Sequence, residues 1–362
     1  YHVSNIRNVT LYNHMEDMMS RMLLPLSITA ALMGGTAFAE VPRVAVDIAP
    51  VHSLVARVMD GVGTPDLIVQ SGASPHEYSL RPSEATALQE ADLVFWVSPD
   101  LTPWLGDAIE TLATNATVTE LLEADGTIEL EFREGALFEA HEEHAEGEHE
   151  GEEHAEGEHD DHEGEEHAEG EHHDHEGEEH AGEEAGHEGH DHGEHDPHAW
   201  LSPQNAATWL NVIAGQLSAT DPDNAGAYFA NAAAGRAEID TLTAEVNAML
   251  EPVRGARFIV FHDAYQYFES AFDFPASGAI SVSDASDPSP ARIAEIRARI
   301  ADEGIDCVLA EPQFNAGLVA TVLDGTEAGT GILDPLGSDL EPGPALYPQL
   351  IRNLATNLAE CL

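Results

Sequence analysis

Asp196-Pro197-His198-Ala199-Trp200-Leu201-Ser202-Pro203 marks the point where a long run of histidine and acid gives way to sequence that can pack. Upstream, from His141 to His195, nearly every residue is His, Glu, Asp, Gly or Ala, so nothing there can fill a core and disorder without metal is expected. Downstream, Trp200, Leu201 and Trp209 restore apolar periodicity. His198 therefore stands at the edge of something packed, where one geometry can be enforced on it. It reads as an ordered metal ligand, and the tract as a loose one.

The tract repeats itself: Glu142 to His149, Glu152 to His159 and Glu165 to His172 all read EEHAEGEH. These copies are far shorter than the units that stack into solenoids, so they indicate expansion of a low-complexity loop, here placed at 139–195, within the first domain. Its histidines are His141, His144, His149, His154, His159, His162, His167, His172, His173, His175, His180, His187, His190, His192 and His195. So many imidazoles chelate divalent metal weakly whatever their origin, and a short tether keeps that metal concentrated near the folded part. A solvated insertion with no role is the bland alternative.

At 362 residues the chain has length for two domains, and 43% apolar residues suffice for a core in each. The formal net charge is -55; residues 141–195 supply 25 of the 68 acids and no Lys or Arg, so tract and remainder are both strongly acidic. All 13 basic residues are Arg. Nucleic acid and anionic lipid head groups are poor partners for such a surface.

Arg21 precedes the apolar run Met22 to Met33, and Ala37-Phe38-Ala39 supplies an A-x-A cleavage pattern. This is the pattern of a secretory signal peptide, too short for a membrane anchor. Residues 1–39 are expected to combine that peptide with an over-extended start, translation beginning at Met18, Met19 or Met22 and the mature chain near Glu40. Export makes Cys307 and Cys361 readable as a disulfide, two free thiols being the alternative.

Val44 to Ala49 reads as a buried strand, and Leu67 to Val69 and Leu93 to Val97 as two further strands, with helical patterns at His52 to Met59 and from Pro82, where Ser83 is a plausible cap. Strands alternating with helices imply βαβ units and parallel sheets, whose ligands lie beyond the carboxyl ends of the strands. Asp221 to Leu250 is the longest helical pattern, bounded by Pro222 and Pro252, and reads as a linker. Beyond it the same grammar returns: Phe258 to Phe261, Ala279 to Val282, Cys307 to Ala310 and Ile332-Leu333 as strands, with a helix at Pro290 to Ala301. The expected division is a first α/β lobe at 40–218, a linker helix at 219–252 and a second α/β lobe at 253–362.

Three histidines share one setting: His76 in a loop after a strand, His198 beside Pro and Trp, and His262 at a strand end. No short motif unites them; their common position does, since strand ends of two α/β lobes would face one cleft. The runs Gly72-Ala73-Ser74-Pro75-His76-Glu77-Tyr78-Ser79-Leu80-Arg81-Pro82-Ser83, Asp196 to Pro203, Phe261-His262-Asp263-Ala264-Tyr265-Gln266-Tyr267-Phe268-Glu269 and Ala310-Glu311-Pro312-Gln313-Phe314 closely resemble the periplasmic zinc-binding subunit of bacterial high-affinity zinc uptake ABC transporters, the ZnuA family. The likeness runs from about Val41 to the C-terminus, broken only by the tract, and an acidic, His-rich insertion there is itself a family habit.

The resemblance implies two α/β lobes, each a parallel sheet flanked by helices, joined by one long rigid helix with a metal site in the interlobe cleft. It carries the metal ligands over to His76, His198 and His262. Leu333-Asp334-Pro335-Leu336-Gly337 matches a segment whose Asp ligates metal in manganese-binding relatives, which makes Asp334 or a water the fourth ligand. Pro75 stands where some members have a Glu, excluding a ligand from that position. Cys307 and Cys361 match a disulfide of the zinc branch. Three imidazoles suit Zn2+, whereas manganese prefers carboxylate oxygen; copper and nickel are left to geometry and supply. Glu77, Asp263 and Glu311 are candidate acceptors for ring N–H groups, and Arg81 and His52 read as structural.

The expected partners are a zinc permease with its cytoplasmic ATPase, and as a further candidate another periplasmic zinc-binding protein, with the chain itself a monomer. Two rival functions stand beside capture and delivery: a zinc hydrolase using Glu77 or Glu311 as base, and a zinc buffer with the tract as its main site.

Overall fold

Two four-stranded parallel sheets carry the described residues, which in this computed structural model are 41–133, 138, 195–281, 288–314 and 316–362. The expected signal peptide and all of the tract but His195 lie outside them. Pro42–Leu362 packs as one unit, and no helix among the described residues is long and apolar enough to cross a membrane.

The first sheet has β1 (Val44–Val46), β2 (Asp66–Leu67), β3 (Leu93–Trp96) and β4 (Thr117–Glu120) in the order β2-β1-β3-β4. Every residue of β1 and β3 is buried, because helices α1 (Ala49–Val58), α2 (Pro82–Glu90) and α3 (Pro103–Leu112) cover the sheet; hence the unbroken apolar runs. Asp47, fully buried after β1, accepts from the N–H groups of Ile48 and Val97 at 2.7 Å each and so ties β1 to β3. Strand β4 was not foreseen: its Thr-Val-Thr-Glu sequence is an exposed edge with no apolar run. Helix α1 begins three residues before the expected His52. Ser83 is not the cap of α2; the helix starts at Pro82, and Glu84 accepts the Arg81 N–H at 2.7 Å.

The chain returns from the tract through a 3-10 turn, Ala199–Leu201, into α4 (Pro203–Thr220), capped by Ser202, whose hydroxyl accepts the Asn205 N–H. The expected long helix is α5 (Ala225–Leu250), with Pro222 and Pro252 inside short 3-10 turns at either end. Helices α4 and α5 approach closely at Gly235, where a Cβ would stand 2.9 Å from a Leu210 methyl.

The second sheet, β6-β5-β7-β8, uses β5 (Phe258–His262), β6 (Ala279–Ser281), β7 (Cys307–Ala310) and β8 (Gly329–Ile332), with α6 (Gln266–Phe272), α7 (Pro290–Glu303) and α8 (Ala316–Leu323) between strands. The last helix, α9 (Leu346–Cys361), returns to the first lobe: the Tyr347 N–H donates to Ser53 Oγ and its hydroxyl to the Trp200 carbonyl. Cys307 and Cys361 are disulfide-bonded, joining β7 to the end of α9.

Candidate metal centre

His76, His198 and His262 line one pocket, together with Ser74, Pro75 and Trp200 from the first lobe and Glu311, Gln313, Phe314, Pro335 and Leu336 from the second. The free space suits about one water-sized occupant. Each histidine is held by its own local device. His76 lies in the loop after β2, turned at Gly72, whose φ of +83° suits glycine, and pinned where the Trp104 indole N–H donates to the Pro75 carbonyl at 2.8 Å. His198 opens the 3-10 turn, and His262 ends β5.

His198 and His262 are each 5% exposed, and each ring is supported by a carboxylate. Nδ1 of His198 stands 2.7 Å from Asp196 Oδ1, which also accepts the His198 backbone N–H at 2.9 Å. Nδ1 of His262 stands 2.8 Å from Glu311 Oε1, which accepts that residue's backbone N–H at 3.2 Å. An ionised carboxylate can only accept, so with Asp196 and Glu311 ionised the proton of each ring sits on Nδ1 and the Nε2 lone pair is left for a ligand. Burial pushes the Asp196 carboxyl up to about 7, opposed by the His198 N–H and the Arg133 guanidinium; a dication beside the ring draws it back to the ionised form.

Ring centroids are 5.6 Å apart for His76 and His198 and 5.3 Å for His198 and His262. Zinc–nitrogen bonds of about 2.0–2.1 Å at tetrahedral angles place imidazole centroids roughly 5 Å apart, so the spacing fits one shared ion. Among the described residues no three His, Cys, Asp or Glu side chains are already drawn into a coordination shell.

The other expected residues are placed differently. Asp334 does not line the pocket: its carboxylate accepts the N–H groups of Leu336 and Gly337 at 3.0 Å and of Ser338 at 2.5 Å, and the Gln313 amide at 3.3 Å. It holds the loop that presents Pro335 and Leu336. Glu77 is exposed and away from the pocket lining. Asp263 is paired with Arg133 rather than with a ring. Asp196 takes the supporting role instead; an acid two residues before His198 is the local signal for it. His52 is structural, its Nε2 3.1 Å from the Pro65 carbonyl.

A family model described as zinc-uptake complex component A, periplasmic, matches residues 44–361. The chain belongs to that family. A high-affinity zinc uptake system protein ZnuA of Brucella abortus (strain 2308) is 48% identical over 344 residues, covering 94% of this chain and 98% of its own. The protein of the same name from Paracoccus denitrificans (strain Pd 1222) is 46% identical over 346 residues, 94% of this chain and 99% of its own. Among solved structures, a crystal structure of ZnuA matches with a TM-score of 0.64 at 20% identity, over 89% of this chain and 99% of that one. A manganese complex of the solute-binding protein FpvC from Pseudomonas aeruginosa gives 0.66 at 17%, over 89% and 98%. At such identities these structures speak for the two-lobed fold alone. Family membership makes the chain a periplasmic solute-binding component of ABC transport and not an enzyme.

Proposed function

We propose that the cleft captures one Zn2+ through Nε2 of His198 and His262 and a ring nitrogen of His76, and that the chain hands it to a zinc permease driven by a cytoplasmic ATPase. The observation that carries this is the pair of carboxylate-supported, buried imidazoles facing a pocket no larger than an ion or a water. Of the two candidate bases of a hydrolase, Glu311 turns Oε1 to His262 and Glu77 is exposed.

Three nitrogen donors favour zinc over manganese, which prefers a donor set richer in carboxylate oxygen. With Asp334 engaged by backbone N–H groups, water completes the fourth position. The chain works as an exported monomer whose signal peptide lies within residues 1–39, and the tract gathers additional zinc at low affinity. A competitive zinc titration of the mature chain, with manganese as control, tests the site. Replacing His262 or His198 with Ala should weaken binding by more than the 10–100-fold that loss of a supporting contact causes; unchanged tight binding in both variants would sink the assignment.

A further inference from the structure

The tract belongs to the first lobe by sequence, yet its two roots are fastened to the second. Glu131 and His195 form an antiparallel bridge, and the Asp196 N–H donates to the Leu130 carbonyl at 2.8 Å, so the roots pair with each other. The Tyr267 hydroxyl, from the first turn of α6, enters this pair: it accepts the Leu130 N–H and donates to the Asp196 carbonyl, both at 2.9 Å. The Gln266 amide, in the orientation that satisfies both its atoms, donates to the Glu131 carbonyl and to Asp196 Oδ2 at 3.1 Å.

Arg133 completes the join. Its guanidinium forks onto Asp263 through Nε and Nη2 and onto Glu269 through Nη1 and Nη2, with the Phe138 ring 3.5 Å from its central carbon. Arg133 is 18% exposed and its two acids 9% and 6%, so these charges depend on one another. Every second-lobe residue of the join falls between Asp263 and Glu269, immediately after His262. Its first-lobe end includes Asp196, which supports His198. The join therefore connects the mountings of two ligands.

We propose that the paired roots form a polar clasp across the cleft, in which Arg133 is a positioning residue that holds the His262 strand end against the His198 turn and so sets how fast a captured ion leaves. This rests on the three-imidazole reading of the cleft. A polar clasp suits a cleft that must release its cargo, because water can replace its hydrogen bonds without exposing apolar surface.

Charge alone predicts the opposite of the clasp. Removing a cation beside two carboxylates strengthens local attraction for Zn2+ and should slow its release. The test is zinc release from the full mature chain, loaded with one equivalent and mixed with excess chelator, for wild type, Arg133→Gln, Arg133→Lys, Tyr267→Phe and His262→Ala. The clasp requires release at least tenfold faster in Arg133→Gln, a smaller increase in Arg133→Lys, which keeps the charge but loses the fork, and a modest increase in Tyr267→Phe, which serves if the Arg133 variants do not fold. Release within twofold of wild type, or slower, in folded Arg133→Gln overturns the clasp while leaving the cleft assignment standing. Release from His262→Ala indistinguishable from wild type overturns both.

Discussion

At the scale of single residues, the support of each ring matters more than the number of histidines. Asp196 and Glu311 fix the tautomer and orientation of His198 and His262, and such contacts are worth about 10–100-fold in metal affinity. Asp196→Asn should weaken zinc binding by that order in a competitive titration. The metal-free variant should melt no lower than wild type, because it replaces a buried carboxyl that desolvation already pushes to about 7. Asp334→Asn should do the reverse, disturbing the loop that its carboxylate holds and costing far less affinity than loss of any ring; a loss as large as that of His262→Ala would show Asp334 to be a ligand. The three histidines could be named together because the runs around them resemble one family; their positions after strands and beside a packed turn left a structural role open for each. Their partners were only half legible. Glu311 follows an apolar strand and Asp196 sits two residues from its ring, so each had a local signal, whereas Arg133 finds Asp263 across 130 residues of sequence. No local pattern encodes such a meeting.

At the scale of elements, strands buried on both faces announced themselves, while β4, whose Thr117 and Val118 are exposed, did not. The edge strand is held by its ladder with β3, a long-range fact that propensity does not record. Buried Asp47 adds a pH dependence to the first sheet. Burial raises its carboxyl from 3.8 to about 7, so the folded chain holds a proton between those values that the unfolded chain has lost. Stability of the metal-free protein should therefore fall as pH rises from about 4 to about 7, by up to about 1.4 kcal/mol per pH unit from this one group. Glu120, raised to about 7 by burial and by neighbouring Glu123 and Asp100, adds to the same slope. Urea midpoints of wild type and Asp47→Asn at pH 5 and 7.5 check this, the variant showing the smaller difference. The disulfide between Cys307 and Cys361 closes a span of 54 residues and anchors α9 to β7. Replacing both cysteines with Ser should cost about 2–4 kcal/mol in the same unfolding measurement.

At the scale of the whole molecule, the two-lobed plan could be read from a repeated strand-and-helix grammar on either side of a long helix, but the closure of the cleft could not. It depends on α9 crossing back to Ser53 and on the tract's roots gripping α6, contacts between residues far apart in sequence. The same separation decides between a cleft receptor and a tract-based buffer. The folded lobes supply three imidazoles at fixed spacing, while the tract supplies many imidazoles and carboxylates with no core to fix them. Preorganised donors bind tightly because little ordering remains to be done, and loose ones bind weakly and in number. Deleting residues 141–194 leaves His195, Asp196 and the whole pocket in place. The shortened chain should keep one tight zinc and lose the weak ones, seen as a fall in stoichiometry with the first equivalent's affinity retained. Removing so many acids also removes long-range attraction for a dication. Association with zinc should therefore slow, most at low ionic strength, and the gap between the two chains should narrow as salt is added. Loss of the tight equivalent on deletion would place the principal site in the tract and end the cleft assignment.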